Sequence, residues 1–294
     1  MGTNAHNESR NAGGCKLTVL VNWPGGADFP SPPGTMSRYA ARMNFADLTA
    51  PQLRTLAPEI PVVIPIAAVE QHGGHLPVFT DSLLLGEIIR RVAPSYASSV
   101  VFAPLLWLGH SDHHLDLGGT LSASSRSYLD LLRDMVDNLI QSGFRRIALL
   151  NGHGGNDTPG RQALFEVRQT YRHRRDLLLA LGTYWALGES PRTTDPTLVQ
   201  DQMGHACEWE TSMILQIAPA LVGEYRHLPD VPFGRAFDPG YRAWITTDRS
   251  GPGHIGSPRA ASIEKGERLL KHFAGQVREW IERLVRWDGQ SWEG

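Results

Sequence analysis

The sequence is poor in several features that would place a protein quickly. Among its 294 residues there are two cysteines, Cys15 and Cys207. These are too few for a disulfide framework, so a cytoplasmic, reducing location is expected. No apolar run approaches the roughly 18 residues of a membrane span, and the opening MGTNAHNESRNAGG has no apolar core of the secretory-signal kind. Neither charge sign dominates: 28 Lys and Arg stand against 30 Asp and Glu, a net charge of −2. That balance gives no electrostatic reason to expect nucleic acid or an anionic membrane as partner. A GxSxG nucleophile elbow and a GxxxxGK[ST] phosphate loop are both missing from the sequence, which removes serine-hydrolase and P-loop chemistry.

What remains is a chain of ordinary globular composition, 41% hydrophobic and 20% charged. Residues 1–43 are polar at first and then rich in Pro and Gly, and read as a flexible or arm-like extension. From residue 44 to 294 a single domain is expected. Buried-strand runs (VVIPIAAV at 62–69, VVFAPLLW at 100–107, RRIALLN at 145–151, DLLLALGTYW at 176–185) alternate with amphipathic helical segments. The last segment, 255–287, reads as one long helix with Ser257 at its N-cap and Pro258 at its first position. Such alternation implies an α/β fold with a parallel sheet covered on both faces.

Chemistry concentrates where strands should end. EQHGGHLPVFTD (70–81) follows the first strand, and NGHGGN (151–156) begins at the end of the third. In open parallel sheets, ligands bind beyond the carboxyl ends of the strands. Glu70, His72, Asp81 and His153 are therefore expected around one point. HACEWETS (205–212) adds a third piece: read as helix, it puts His205 and Glu208 on one face and Glu210 elsewhere. Carboxylates with imidazoles suit Zn²⁺, Mn²⁺ or Fe²⁺. A two-ion site using Glu70, His72, Asp81, His153 and Glu208, with Asp81 bridging, would engage the whole set. Taken singly, each has a bland reading; Asp81, for instance, stands where a helix N-cap would. His114 and Ser111, in the loop after the second strand, are candidates for substrate contact.

In their order and separation, EQHGGHLPVFTD, NGHGGN and HACEWETS resemble the creatininase (creatinine amidohydrolase) family over residues 44–275. LGHSDHHLDLGGTLS (108–122) and GHIGSPRAASIEKGE (253–267) support the resemblance. It implies a three-layer α/β/α domain, two divalent metal ions per subunit (zinc, manganese or iron), and a homo-oligomer, often a hexamer. Glu70, Asp81 and His153 would hold one ion, and His72, Asp81 and a further glutamate the other. Creatininases carry that glutamate two places after the histidine, where this chain has Gly155. Glu208 is expected to replace it, sharing the role of base with the catalytic histidine, His205. Trp185 matches one active-site tryptophan; a second, due shortly before His205, is missing. Both departures argue against creatinine as substrate. The expected function is metal-dependent hydrolysis of a non-peptide C–N bond in a small polar molecule, a cyclic amide or formamide. The alternatives are opening of a cyclic sugar ketone, cleavage of a short peptide, or a non-catalytic binder on the same scaffold.

Overall fold

Five strands, all parallel, lie in the order β1-β3-β2-β4-β5. The structure is a computed structural model and describes residues 43–292, so the extension expected over 1–43 lies outside the described residues, Met43 apart. In chain order the elements are β1 (Met43–Asn44), α1 (Ala50–Leu56), β2 (Val62–Ile66), α2 (Thr80–Val92), β3 (Val101–Phe102), α3 (Ser125–Gln141), β4 (Arg146–Asn151), α4 (Asp157–Thr170), β5 (Leu178–Thr183), α5 (Glu208–Ile217) and α6 (Ile263–Arg286).

Every residue of β2 is buried, as a strand covered on both faces requires. Alternate residues then face opposite layers. Val63, Ala148 and Leu150 pack with side chains of α2, α5 and α6. Val62, Ile64, Ile66, Ile147 and Leu149 pack with those of α3 and α4, joined by Leu53 and Leu56 of α1. The result is the expected α/β domain in three layers.

From β2 the chain moves to β3 on one side, then returns to β4 on the other. The sheet order therefore reverses between β2 and β4, and the loops leaving these two neighbours open side by side. Two local expectations differ. Ladder pairing in β3 covers only Val101–Phe102; Pro104 just beyond has no N–H to offer, and contact with β2 resumes at the isolated Ile66–Leu106 bridge. The final helix starts at Ile263 with Ser262 as N-cap, its side chain accepting from Lys265 N. Ser257 and Pro258 instead open a short 3-10 turn over Pro258–Ala260.

Candidate metal centre

The loop after β2 supplies Glu70 and His72, the first turn of α2 supplies Asp81, and the loop after β4 supplies His153. All four are buried. The asparagines of NGHGGN explain why this loop holds its shape. Asn151 accepts from His153 N at 3.0 Å and donates to His153 O at 2.7 Å. Asn156 donates to Ala67 O and accepts from His110 N, each at 2.9 Å, tying three loops together. Gly155 is obligatory: a Cβ there would overlap the carbonyl oxygen of His110 and lie 2.5 Å from His153 Nε2. The glutamate that creatininases carry at this position has no room here.

Each imidazole has one nitrogen bound to backbone and the other turned inward. His72 Nδ1 donates to Glu70 O at 3.1 Å, leaving Nε2 facing Asp81 at 3.3 Å and Glu210 at 3.6 Å. His153 Nε2 donates to His110 O at 3.0 Å, leaving Nδ1 facing Asp81 at 3.0 Å and Glu70 at 3.3 Å. These inward approaches are not aligned as hydrogen bonds: His72 Nε2, Glu70 Oε2 and Asp81 Oδ2 are buried with no hydrogen-bond partner. Buried lone pairs facing one another are costly unless something positive lies between them. Without an ion, protons meet that need. Burial alone would lower His153, but the charge of Glu70, with Asp81 adding, pushes it up to about 10. His72 is raised well above the usual imidazole range against the same opposing burial, chiefly by Asp81. Burial raises Glu70, with His153 opposing and the Asp81 charge adding.

His205 joins the cluster from outside any helix. Its backbone pairs with Ile255 in both directions, at 3.0 and 2.7 Å. Ala206 then takes a left-handed φ of +47°, and α5 begins only at Glu208. The helical spacing expected for His205 and Glu208 therefore does not apply. Glu208 is a correction: it does not enter the cluster. Its Oε1 lies 2.6 Å from Lys265 Nζ, and its Oε2 accepts from Val199 N at 2.9 Å and Gln200 N at 3.0 Å. Glu210, two residues on and about 200° around the helix, takes the inward place. As the third residue of α5 it reaches back to accept from Cys207 N at 3.3 Å and comes within metal-sharing distance of His72 and His205.

His205 Nε2 donates to Gln71 O at 2.7 Å, and its Nδ1 lies 3.5 Å from Glu70. Burial, reinforced by the nearby His72 and His114 rings, holds His205 well below the usual imidazole range. Gln71 is a residue that sequence reasoning passed over. Its amide nitrogen donates to His114 Nδ1 at 2.8 Å and to Gly253 O at 2.9 Å, while its oxygen accepts from Gly73 N at 2.9 Å. The signal was its place between Glu70 and His72.

A cavity of about 730 Å³ opens above these groups, lined by Glu70, Asp81, His153, His205 and Glu210 at one end. His114 and Trp185 also line it. Ser111 does not: it is fully buried, with its hydroxyl 3.1 Å from His153 Nε2, and so positions that ring.

With this geometry in place, comparison with known proteins is decisive at the level of family. The creatininase profile, described as creatinine amidohydrolase, matches residues 46–281. The chain belongs to the creatininase family. Among the relatives of this creatininase-family chain are a mycofactocin precursor peptide peptidase of Mycolicibacterium smegmatis and a creatinine amidohydrolase of Pseudomonas putida. The first is 29% identical, covering 81% of this chain and 89% of the relative; the second is also 29% identical, covering 75% and 88%. A 3-dehydro-scyllo-inosose hydrolase of Thermotoga maritima is 26% identical over 82% of this chain and 84% of its own. Among solved structures, a manganese creatininase has a TM-score of 0.71 at 24% identity, covering 83% of this chain and 99% of its own. A zinc-zinc form of a mutant creatininase has 0.70 at 25%, with the same coverage. The chain is thus a creatininase-family hydrolase.

Proposed function

We propose that this protein is a metal-dependent amidohydrolase that cleaves a non-peptide C–N bond in a small polar molecule, a cyclic amide or formamide, using two divalent ions. The observation that carries this reading is the inward-facing set of lone pairs on Glu70, Asp81, Glu210, His72 Nε2 and His153 Nδ1. Glu70, Asp81 and His153 would hold one ion and His72, Asp81 and Glu210 the other, with Asp81 shared. Oxygen and imidazole donors without thiolate fit Zn²⁺, Mn²⁺ or Fe²⁺. Bound there, two such ions supply Lewis acidity towards a carbonyl oxygen and a water activated near neutral pH.

The chain's own residues do the rest. His110 O and Glu70 O fix the ring orientation of His153 and His72, the outer support that metal-binding imidazoles depend on. His205 is neutral at pH 7 and keeps a free Nδ1 beside Glu70 at the cavity floor. It can take a proton at that atom and return it to the departing nitrogen, the general acid–base role. His114 Nδ1 lies 2.8 Å from the Gln71 amide nitrogen, and its Nε2 lies 3.5 Å from Glu70.

The test is metal analysis of the purified protein, then chelation and reconstitution with Mn²⁺, Zn²⁺ or Fe²⁺ while assaying lactams, formamides, cyclic ketones and dipeptides. Activity lost on chelation and restored by one of these ions is expected; turnover indifferent to chelation would remove the proposal. A second reading, short-peptide cleavage, is favoured by the roomy cavity and by the peptidase relatives; dipeptide turnover exceeding amide turnover would select it. The third, opening a cyclic sugar ketone, has the inosose hydrolase relative in its favour. We further read the chain as a cytoplasmic homo-oligomer, since Val78, Leu115, Leu117 and Leu121 leave apolar surface exposed on neighbouring loops; light scattering tests the assembly. No described helix is long and apolar enough to cross a membrane.

A further inference from the structure

The far wall of the cavity comes from the segment before His254, where Phe233, Tyr241, Trp244, Ile245 and Arg249 all line the space. Arg249 is the one permanent cation lining the cavity among the described residues, against four carboxylates there, Glu70, Asp81, Asp112 and Glu210. Its guanidinium lies 4.5 Å from the centroid of the Trp244 ring, and one N–H donates to Phe233 O at 2.9 Å. Burial lowers its pKa, and no acid offsets that effect. A partly desolvated cation with no counterion among the described residues is costly to keep.

The placement is also fixed relative to the metal-binding residues. Trp244 meets the His113 ring edge-on at 5.0 Å, and His113 stacks on His153 at 5.9 Å. Thr246, three residues before Arg249, donates to His113 O at 2.6 Å and lies 2.6 Å from His114 Nδ1. Trp244 holds one face of the guanidinium, leaving its N–H edge available for a carboxylate or phosphate, the two-pronged pairing that arginine forms better than lysine.

We propose that the substrate carries an anionic group, a carboxylate or phosphate, remote from the bond that is cleaved, and that Arg249 on its Trp244 platform binds it. This rests on the hydrolase reading above and narrows it from neutral amides to acidic ones.

The test compares N-formylglycine, its neutral primary amide and its phosphonate analogue as substrates for the metal-loaded full-length protein and for Arg249→Gln and Arg249→Lys. The acid or the phosphonate should exceed the amide about tenfold or more in kcat/KM, the size of a charge-assisted pair. The better of the two identifies the anion. Arg249→Gln should collapse that ratio towards one and Arg249→Lys should leave it in between. A ratio near one in the wild type, or one unchanged in Arg249→Gln, overturns the inference while leaving the hydrolase reading intact. Calorimetric titration with glutarate, a dicarboxylate with no bond to cleave, decides the matter even if none of the three is turned over. Saturable binding weakened about tenfold or more in Arg249→Gln supports the anion site; binding that is absent, or equal in both proteins, overturns it. Anion binding at Arg249 together with chelation-indifferent turnover would instead strike the hydrolase reading alone.

Discussion

Glu208 and Glu210 stand two residues apart, both buried and both acidic, and their replacement should separate structure from chemistry. Glu208→Gln keeps the shape but removes the charge that faces Lys265 Nζ at 2.6 Å. Lys265 is itself largely buried, at 13% side-chain exposure, and its other acceptor is a backbone carbonyl, Ala260 O at 2.7 Å. Removing one partner of a buried pair leaves an uncompensated charge and costs about 3–5 kcal/mol. For a domain of this size each kcal/mol moves Tm by about 2–4 °C, so a fall of about 10 °C is expected. Metal content at saturating Mn²⁺ or Zn²⁺ should stay at the wild-type level in the protein that remains folded. Glu210→Gln reverses the pattern. In the metal-free chain it removes the more distant of the two carboxylates beside His72, at 3.6 Å against 3.3 Å for Asp81, so Tm without metal should fall by less than in Glu208→Gln. Metal affinity should fall by at least about tenfold, since even outer partners of a metal site are worth 10–100-fold. Thermal melts with and without chelator, alongside metal analysis after dialysis, give both readouts. Metal lost from Glu208→Gln at unchanged Tm, with Glu210→Gln binding normally, would refute the assignment.

Three further outcomes follow from the same geometry. Gly155→Ala should lose metal and most folded yield, because its Cβ overlaps His110 O and crowds His153; Gly154→Ala, with nothing within 4 Å of its Cβ, should match the wild type in both. Adding Mn²⁺ or Zn²⁺ at 100 times its Kd to chelated protein should stabilise it by about 2.7 kcal/mol for each ion bound through linkage, and a melt that does not respond to any divalent ion would count against the centre. His75, buried against Thr211 Oγ1 at 3.0 Å, is pushed down to about 4 from 6.5 by burial. The unfolded chain then takes up this proton first as pH falls, so stability present above pH 6.5 is lost between there and about 4. Chelated His75→Gln should therefore lose less Tm between pH 7 and 4.5 than chelated wild type, and equal losses would refute that account.

The fold was legible wherever burial was two-sided. The uninterrupted apolar run at 62–69 could be placed because a strand between two helical layers needs no polar face, and β2 is buried throughout. The run at 100–107 was equally apolar yet forms a ladder of two residues, since periodicity reports burial and is silent on whether N–H groups remain to pair beyond Pro104. The final helix was placed too early for a related reason. Ser257 with Pro258 is a good local start, but Gly256 at φ +122° and the following 3-10 turn redirect the chain, and the helix waits for Ser262.

The candidate site divides in the same way. Glu70, His72, Asp81 and His153 could be brought together on paper because each is tied to a strand end or helix start, and parallel topology delivers those points to one crevice. Choosing between Glu208 and Glu210 needed the phase of a helix, and the phase depends on its first residue. One left-handed residue, Ala206, shifts that start past His205, and with it the face on which each glutamate falls. In the proposed two-ion site, the carboxylate that creatininases carry at Gly155 would have to come from another part of the chain, because His110 O fills the space its Cβ would need. The N-terminal turn of α5 can supply it from Glu210, reaching back past Cys207 N. On the proposed ligand set, the exchange of a loop glutamate for a helix glutamate would hang on one steric fact at Gly155, with loop and helix start compensating each other.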